Sequence, residues 1–407
     1  MESTETNNST FFSNLSVIAF SAILIQLPVY QRFIPLTIGL WFLVSIIHAI
    51  IKRIKPKLNA VFILCILLYS LIALSGLWSE NKPVYNFDLE VKMSLVIFPI
   101  IFSFTKYSKH QIRSILLSAV TGLLLSFLFL MGKAVIQYLD TREISQFFYA
   151  NLSNIVHPSY LSYYVNVGLI VIILDYISPK FSLFKKKSTY LLAALWLSFF
   201  SVILLSKNGI LTTGLILLFL FAFWFQTKKF LLLGVTLGIT VSVLTVSYFG
   251  SSIVQNRISE LFSGLESDSD SNESGSYSTG IRIKIWEIAT NLAKDEPILG
   301  YGAGDTKDVL VEEYDKAGFS EALIRRLNAH NQFLQITLSN GIIGLLTLLG
   351  LLLLPFFQWT HKNWHAILFS GLTIIFFITE SVLETQAGVL GFVAFLCLFS
   401  NKTFKKE

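Results

Sequence analysis

The sequence predicts an all-α polytopic membrane protein of about twelve transmembrane helices, with one long periplasmic loop of short helices. Three observations carry that prediction. Of 407 residues, 54% are hydrophobic and only 14% are charged, with a mean hydropathy of +0.66. Soluble domains average about 25% charged residues, so this chain lacks the polar surface to cover its apolar residues in water. The apolar residues, 36 Phe among them, fall into twelve runs. The basic residues then sort by loop. With the N-terminus cytoplasmic, one side holds Lys52, Arg53, Lys55, Lys57, Lys106, Lys109, Arg113, Lys180, Lys185, Lys186, Lys187, Lys228, Lys229, Lys362, Lys402, Lys405 and Lys406, which is 17. The short loops of the other side hold five: Arg32, Lys82, Lys92, Arg142 and Lys207. That is the asymmetry of the positive-inside rule. Disorder, coiled coil, disulfide scaffold and soluble enzyme are excluded.

A spanning helix needs about 20 apolar residues, fewer where flanking residues snorkel. The runs lie at 11–30, 34–51, 58–78, 92–105, 114–138, 159–177, 189–206, 208–226, 229–249, 331–356, 365–380 and 387–401. The organisation is therefore nine spans over 1–249, an outside loop over 250–330, and three spans with a short tail over 331–407. The first run does not read as a cleaved signal, because no positive charge precedes it and no small-residue cleavage site follows. Cys65 and Cys397 lie inside apolar runs and read as small buried residues. Lys133 and Asp175 lie near the ends of their spans, where they can snorkel. The net charge of +6 and pI near 9.1 come mostly from cytoplasmic-loop Lys and Arg facing the leaflet, so nucleic acid is not an expected partner.

The outside loop carries 14 of the 25 acidic residues against eight basic ones. Its stretch Glu266 to Ser278 is acidic and Ser-rich, with almost nothing to bury, and should be mobile. Asp268 and Asp270 form an acidic pair there, but such pairs arise easily in a Ser/Asp run, and no metal site is expected. Ile281, Ile285, Ile288 and Leu292 then mark an amphipathic helix stopped by Pro297, its apolar face on the membrane surface or against the bundle. Arg282 and Trp286 sit one turn apart on a neighbouring face. The glycines of Leu299-Gly300-Tyr301-Gly302-Ala303-Gly304 match neither a Walker loop nor a dinucleotide fingerprint and predict a tight backbone turn. Asp305 is placed to cap a helix running to about Lys316, closed by Gly318. Asn328 can cap the tenth span, with His330 in its first turn. Asn331, Gln335 and Ser339 form a polar stripe entering that span, which must face the protein interior or a wet cavity. Outside, too, lie His157-Pro158, which predicts a turn opening the sixth span, and Glu380 and Glu384 between the last two; these carboxylates either orient a basic group or are solvated.

Taken together, Gly280-Ile281-Arg282…Trp286, Pro297-Ile298-Leu299-Gly300-Tyr301-Gly302-Ala303-Gly304-Asp305, His330-Asn331-Gln332-Phe333-Leu334-Gln335 and Gly341…Gly344 resemble the O-antigen ligase and O-antigen polymerase superfamily. His157-Pro158-Ser159-Tyr160 and Glu380…Glu384-Thr385-Gln386-Ala387-Gly388 look like elements of one branch of it, and the resemblance covers roughly residues 150–390. It implies a metal-independent, inverting GT-C-type glycosyltransferase of the inner membrane, without a cofactor. Such an enzyme moves a glycan from undecaprenyl pyrophosphate to a hydroxyl of lipid A–core (a ligase) or of another lipid-linked glycan (a polymerase). The family's catalytic His maps onto His330 and its loop Arg onto Arg282. A second family Arg falls on Lys207 of Ser206-Lys207-Asn208-Gly209, where Lys keeps the charge and loses the planar fork.

The chemistry wants these residue types. Without a metal, the charge developing on a leaving pyrophosphate must be met by Arg or Lys in a partly desolvated site. Arg282 is the first candidate, then Lys207, with Arg325 and Arg326 behind them. The acceptor hydroxyl needs a base, which His330 supplies near neutral pH; Asn331, Gln335, His157 and Glu384 are candidates for support. Each has a plainer reading as a cap, a snorkelling flank or helix–helix glue. Ligase and polymerase share the donor chemistry; ligase is favoured slightly because the chain ends soon after its last span, and a protein O-oligosaccharyltransferase often carries a further domain. A transporter or flippase, the alternative from another class, should show two similar halves with broken or charged mid-membrane segments. No such repeat is visible.

Overall fold

The computed structural model describes residues 2–229, 276–357 and 363–404, with side chains from Phe11, Gly280 and Asn363 onward. The ninth apolar run at 229–249, Asp268 and Asp270, and most of the acidic stretch lie outside the described residues. Every described element is helical. They are α1 Glu2–Val29, α2 Ile34–Ile51, α3 Ala60–Leu74, α4 Lys82–Lys92, α5 Ser94–Phe104, α6 Lys109–Thr141, α7 Tyr149–Leu152, α8 Pro158–Ile177, α9 Lys187–Ile203 and α10 Lys207–Gln226. After the gap come α11 Ser276–Asp295, α12 Thr306–Lys316, α13 Ser320–Arg325, α14 Gln332–Phe357, α15 Trp364–Thr379 and α16 Gln386–Phe399.

Seven of these helices are long and apolar enough to cross a membrane: α1, α2, α3 with the turn that follows it, α6, α8, α10 and α14. Shorter apolar helices are α9, α15 and α16, and α5 has 11 residues. Each apolar run within the described residues thus became a helix, and among the described residues seven helices meet the length criterion for a crossing. Their ends follow from side-chain caps. Asn59 accepts from Phe62 N at 2.8 Å to start α3. Asn81 and Ser206 do the same for α4 and α10, and Thr385 does so for α16.

The chain forms two compact units, one comprising residues 1–20, 34–109 and 280–407, the other 21–33 and 110–279. In the second, α8 is buried almost all round, as expected of an apolar helix surrounded by others. Its Asn166 donates to Ser162 O at 2.9 Å and accepts from Thr213 Oγ1 at 2.9 Å, tying α8 to α10. Asp175 is 1% exposed. Its carboxylate accepts from Phe181 N, Leu183 N and Tyr190 Oη at 2.7–2.8 Å, so it anchors the α8–α9 turn and does not snorkel. Lys133 donates to Asn154. Cys65 and Cys397, both in the first unit, are buried free thiols.

In the first unit α3 packs on α5 and α14, and α16 packs on α5. Phe20 stacks on Trp41 at 4.6 Å, and Phe98, Phe102 and Tyr107 meet them edge-on or stacked. The run read as one span at 331–356 is interrupted. Gly341 sits at φ 61°, ψ −162°, a backbone state reserved for glycine. The turn after α11 occupies the break: Tyr301 N and Gly302 N donate to Leu338 O and Ser339 O at 2.7 and 3.1 Å, and Ile342 N donates to Pro297 O at 2.8 Å. The loop thereby satisfies backbone groups that the broken helix leaves open. A Cβ at Gly341 would overlap the Ile298 carbonyl. Gly341→Ala should therefore lose about 1–3 kcal/mol from backbone strain alone, and more from the collision. A fall in the thermal midpoint in detergent checks this, with Gly350→Ala, which meets only ordinary contacts, as the control.

Candidate functional site

The site lies in the first unit, on a small helical assembly formed by the outside loop. Ile285, Ala289 and Leu292 of α11 bury their face against Leu310 and Tyr314 of α12, Ala322 of α13, and Ala329 and Leu338 around the start of α14. The amphipathic face read from the sequence thus packs against protein. Gly302 adopts φ 92°, the tight turn expected there. Asp305 stands before α12 as expected, but its carboxylate serves another helix, accepting from Glu80 N and Asn81 N at 2.7 and 2.8 Å where α4 begins. Gly318 closes the segment at φ 60°.

His330 precedes α14 rather than lying in its first turn. The cap of α14 is Asn331, whose Oδ1 accepts from Phe333 N and Leu334 N at 2.9 and 3.1 Å. Asn328, expected in that role, instead accepts from His330 N at 3.0 Å. His330 is held at φ 45°, in the left-handed region that non-glycine residues rarely adopt. Gln335 Oε1 accepts from Ala329 N at 3.1 Å. Asn331 and Gln335 therefore shape the backbone on both sides of His330.

One carboxylate joins the two principal candidates. Glu380, where α15 ends, accepts from Arg282 Nη2 at 2.8 Å through one oxygen. Its other oxygen lies 3.5 Å from His330 Nδ1. The side chains of Glu380, Arg282 and His330 are 12%, 24% and 26% exposed, so the cluster is partly desolvated while the guanidinium and the imidazole remain reachable. Gln332, fully buried, accepts from Leu383 N at 2.6 Å and fastens the segment after Glu380 to the start of α14.

Of the other candidates, Glu384 turns to Lys92, 2.9 Å away, and Lys92 also meets Asp88 at 2.6 Å. Arg326 pairs with Asp308 at 2.7 Å and Arg325 with Glu321 at 3.2 Å, both on exposed surface. Lys207 and His157 belong to the second unit. Lys207 is the first residue of α10, behind the Ser206 cap. His157 caps α8, its Nδ1 accepting from Ser159 N at 3.3 Å, and packs edge-on against Tyr149 and Tyr160. Residue type and motif do not by themselves place Glu380 in the site, and Lys92 reads from the sequence as an ordinary loop charge. The available signals were the i, i+4 spacing of Asp88 and Lys92 and the paired carboxylates closing α15. Among the described residues no group of three metal-capable side chains gathers.

The fold and this site define a helical membrane protein whose charged chemistry sits on a loop assembly next to a broken helix. Residues 192–349 match the family described as O-antigen ligase, a stretch containing Lys207, Arg282 and His330. A Haemophilus influenzae protein without an assigned function is 26% identical over 196 residues, 45% of this chain and 48% of that protein. A Rickettsia conorii protein, provisionally described as a polysaccharide ligase, is 41% identical over 78 residues, 17% of this chain and 18% of that one. The chain thus spans about half the length of the first relative and less of the second. The resemblance to the O-antigen ligase family, read from the motifs, is matched by this comparison.

Proposed function

We propose that this protein transfers a glycan from undecaprenyl pyrophosphate to an acceptor hydroxyl at the periplasmic face of the inner membrane, as an O-antigen ligase acting on lipid A–core. The same donor chemistry serves a polymerase that extends another lipid-linked glycan. The observation that carries this reading is the convergence of His330 and Arg282, both within the stretch that matches the ligase family, on the carboxylate of Glu380. Arg282 meets the pyrophosphate charge. His330 takes the proton of the attacking hydroxyl, transfer inverts the anomeric carbon, and no metal is required. Deletion examined on a lipopolysaccharide gel tests it. Loss of a ligase leaves core without O-antigen while undecaprenyl-linked glycan accumulates; loss of a polymerase leaves core with one repeat unit. An unchanged profile would reject both.

The twelve-span topology with both ends cytoplasmic belongs to this proposal, motivated by the division of basic residues between loops. A cysteine at Ser271 should react with an impermeant thiol reagent in cells with a permeabilised outer membrane, and a cysteine at Lys186 should not. The opposite pattern would put the site on the wrong side for a periplasmic transferase.

A further inference from the structure

We propose that Glu380 is the positioning residue of the site: it fixes which nitrogen of His330 reacts and holds Arg282 beside it. This rests on the transferase reading above. A carboxylate has only acceptor atoms, so the Glu380–His330 contact through Nδ1, 3.5 Å long, requires the proton on Nδ1. The neutral imidazole then carries its lone pair on Nε2, and Nε2 is the atom that takes the acceptor's proton. As the acceptor oxygen bonds to the anomeric carbon, the bond from that carbon to the phosphate oxygen breaks, and undecaprenyl pyrophosphate leaves with the electron pair. The hydroxyl proton passes to Nε2, and the imidazolium so formed faces the carboxylate of Glu380.

The geometry is built for this. The backbone of His330 is kept in its left-handed state by Asn328 on one side and the Asn331 cap on the other. The segment bearing Glu380 is tied down by Gln332 at Leu383 and by Lys92 at Glu384. Arg282 uses Nη2 for Glu380, and a guanidinium has five N–H donors in a planar fork, so the contact orients the group and leaves donors for phosphate oxygens. Charged groups near the dyad have partners among the described residues. Arg282 reaches Glu380 from α11, Arg325 and Arg326 are held by Glu321 and Asp308, Lys284 lies over Phe319, and Glu384 faces Lys92 and Asp88.

The test is the pH profile of kcat for the purified full-length protein with undecaprenyl-pyrophosphate-linked glycan and acceptor. In Glu380→Gln the imidazolium formed in the reaction no longer faces a carboxylate, so the acid limb of the profile should move to lower pH. The plateau should fall about tenfold, because a less basic Nε2 accepts the proton less readily. Glu380→Asp, which keeps the charge but retracts it, should keep the wild-type limb at a reduced plateau and stays informative if Glu380→Gln folds poorly. A lower plateau in Glu380→Gln with an unmoved limb would reduce Glu380 to a structural prop and overturn the proposal, as would a wild-type profile in both variants. His330→Ala is measured alongside: wild-type turnover there overturns the transferase site itself, whereas an inactive His330→Ala with an unmoved Glu380→Gln limb overturns only the role of Glu380.

Discussion

His330→Ala should lower turnover by about 100-fold or more while donor binding stays near the wild-type value. General-base assistance contributes about 10²–10⁴ in rate, and a group acting on the acceptor proton stabilises the transition state without holding the donor. Arg282→Ala should behave differently, weakening donor binding and slowing turnover together, because phosphate charge is present in the ground state and grows as the bond breaks. Arg282→Lys should recover part of the loss: the charge remains, while the planar fork that spans Glu380 and two phosphate oxygens is gone. Steady-state and single-turnover kinetics with undecaprenyl-pyrophosphate-linked glycan separate these cases. Wild-type turnover for His330→Ala would remove His330 from the chemistry. The thermal midpoint of each variant is measured first, since Arg282 and Glu380 also join α11 to α15.

Lys92→Ala should destabilise the first unit by about 3–5 kcal/mol, the usual cost of removing one partner from a buried ion pair. Lys92 is 3% exposed and is the cation between Asp88 and Glu384. Even with Lys92 in place, burial pushes the Asp88 carboxyl up to about 6 from its ordinary 3.8, with the charge of Glu384 adding to the rise and Lys92 opposing it. A carboxyl raised in the folded state contributes stability that is fully present below pH 3.8 and is lost as pH rises through about 6. The deficit of Lys92→Ala should therefore be largest near pH 8 and shrink toward pH 5, where Asp88 takes up a proton. Asp88→Asn added to Lys92→Ala should recover much of the loss at pH 8. Thermal unfolding in detergent across that range is the measurement. A deficit independent of pH would show that Lys92 acts through packing alone.

Much of the helix pattern was legible because lipid imposes a simple rule: every backbone polar group must be satisfied within its own segment. Long apolar runs therefore read directly as helices, and the caps at Asn59, Asn81, Ser206 and Thr385 are local signals within a few residues of the groups they satisfy. The amphipathic spacing of Ile281, Ile285, Ile288 and Leu292 likewise needs only its own helix. Arg282 and His330 were legible as candidates through residue type and motif, which are also local.

The misread features depend on which of several available partners a group meets, and for Asp305, Gly341 and Glu384 that partner is distant in sequence. Asp305 has the right offset to cap α12, yet its carboxylate went to backbone amides 224 and 225 residues away. Gly341 looked like one more small residue in an apolar run until the turn at Pro297–Gly302 supplied the hydrogen bonds for a break there. Asp175 could as well have snorkelled, because its position near a helix end does not show that Phe181, Leu183 and Tyr190 would turn their donors onto it. Glu380 and Glu384 are equivalent as letters, one turn of chain apart; packing gave one to Arg282 and His330 and the other to Lys92. Local pattern was enough for the helices, the apolar surroundings they require and the chemical kinds of residue available. Which carboxylate faces which cation came from packing, because an ion pair needs its atoms within about 4 Å and local spacing does not encode proximity between distant segments.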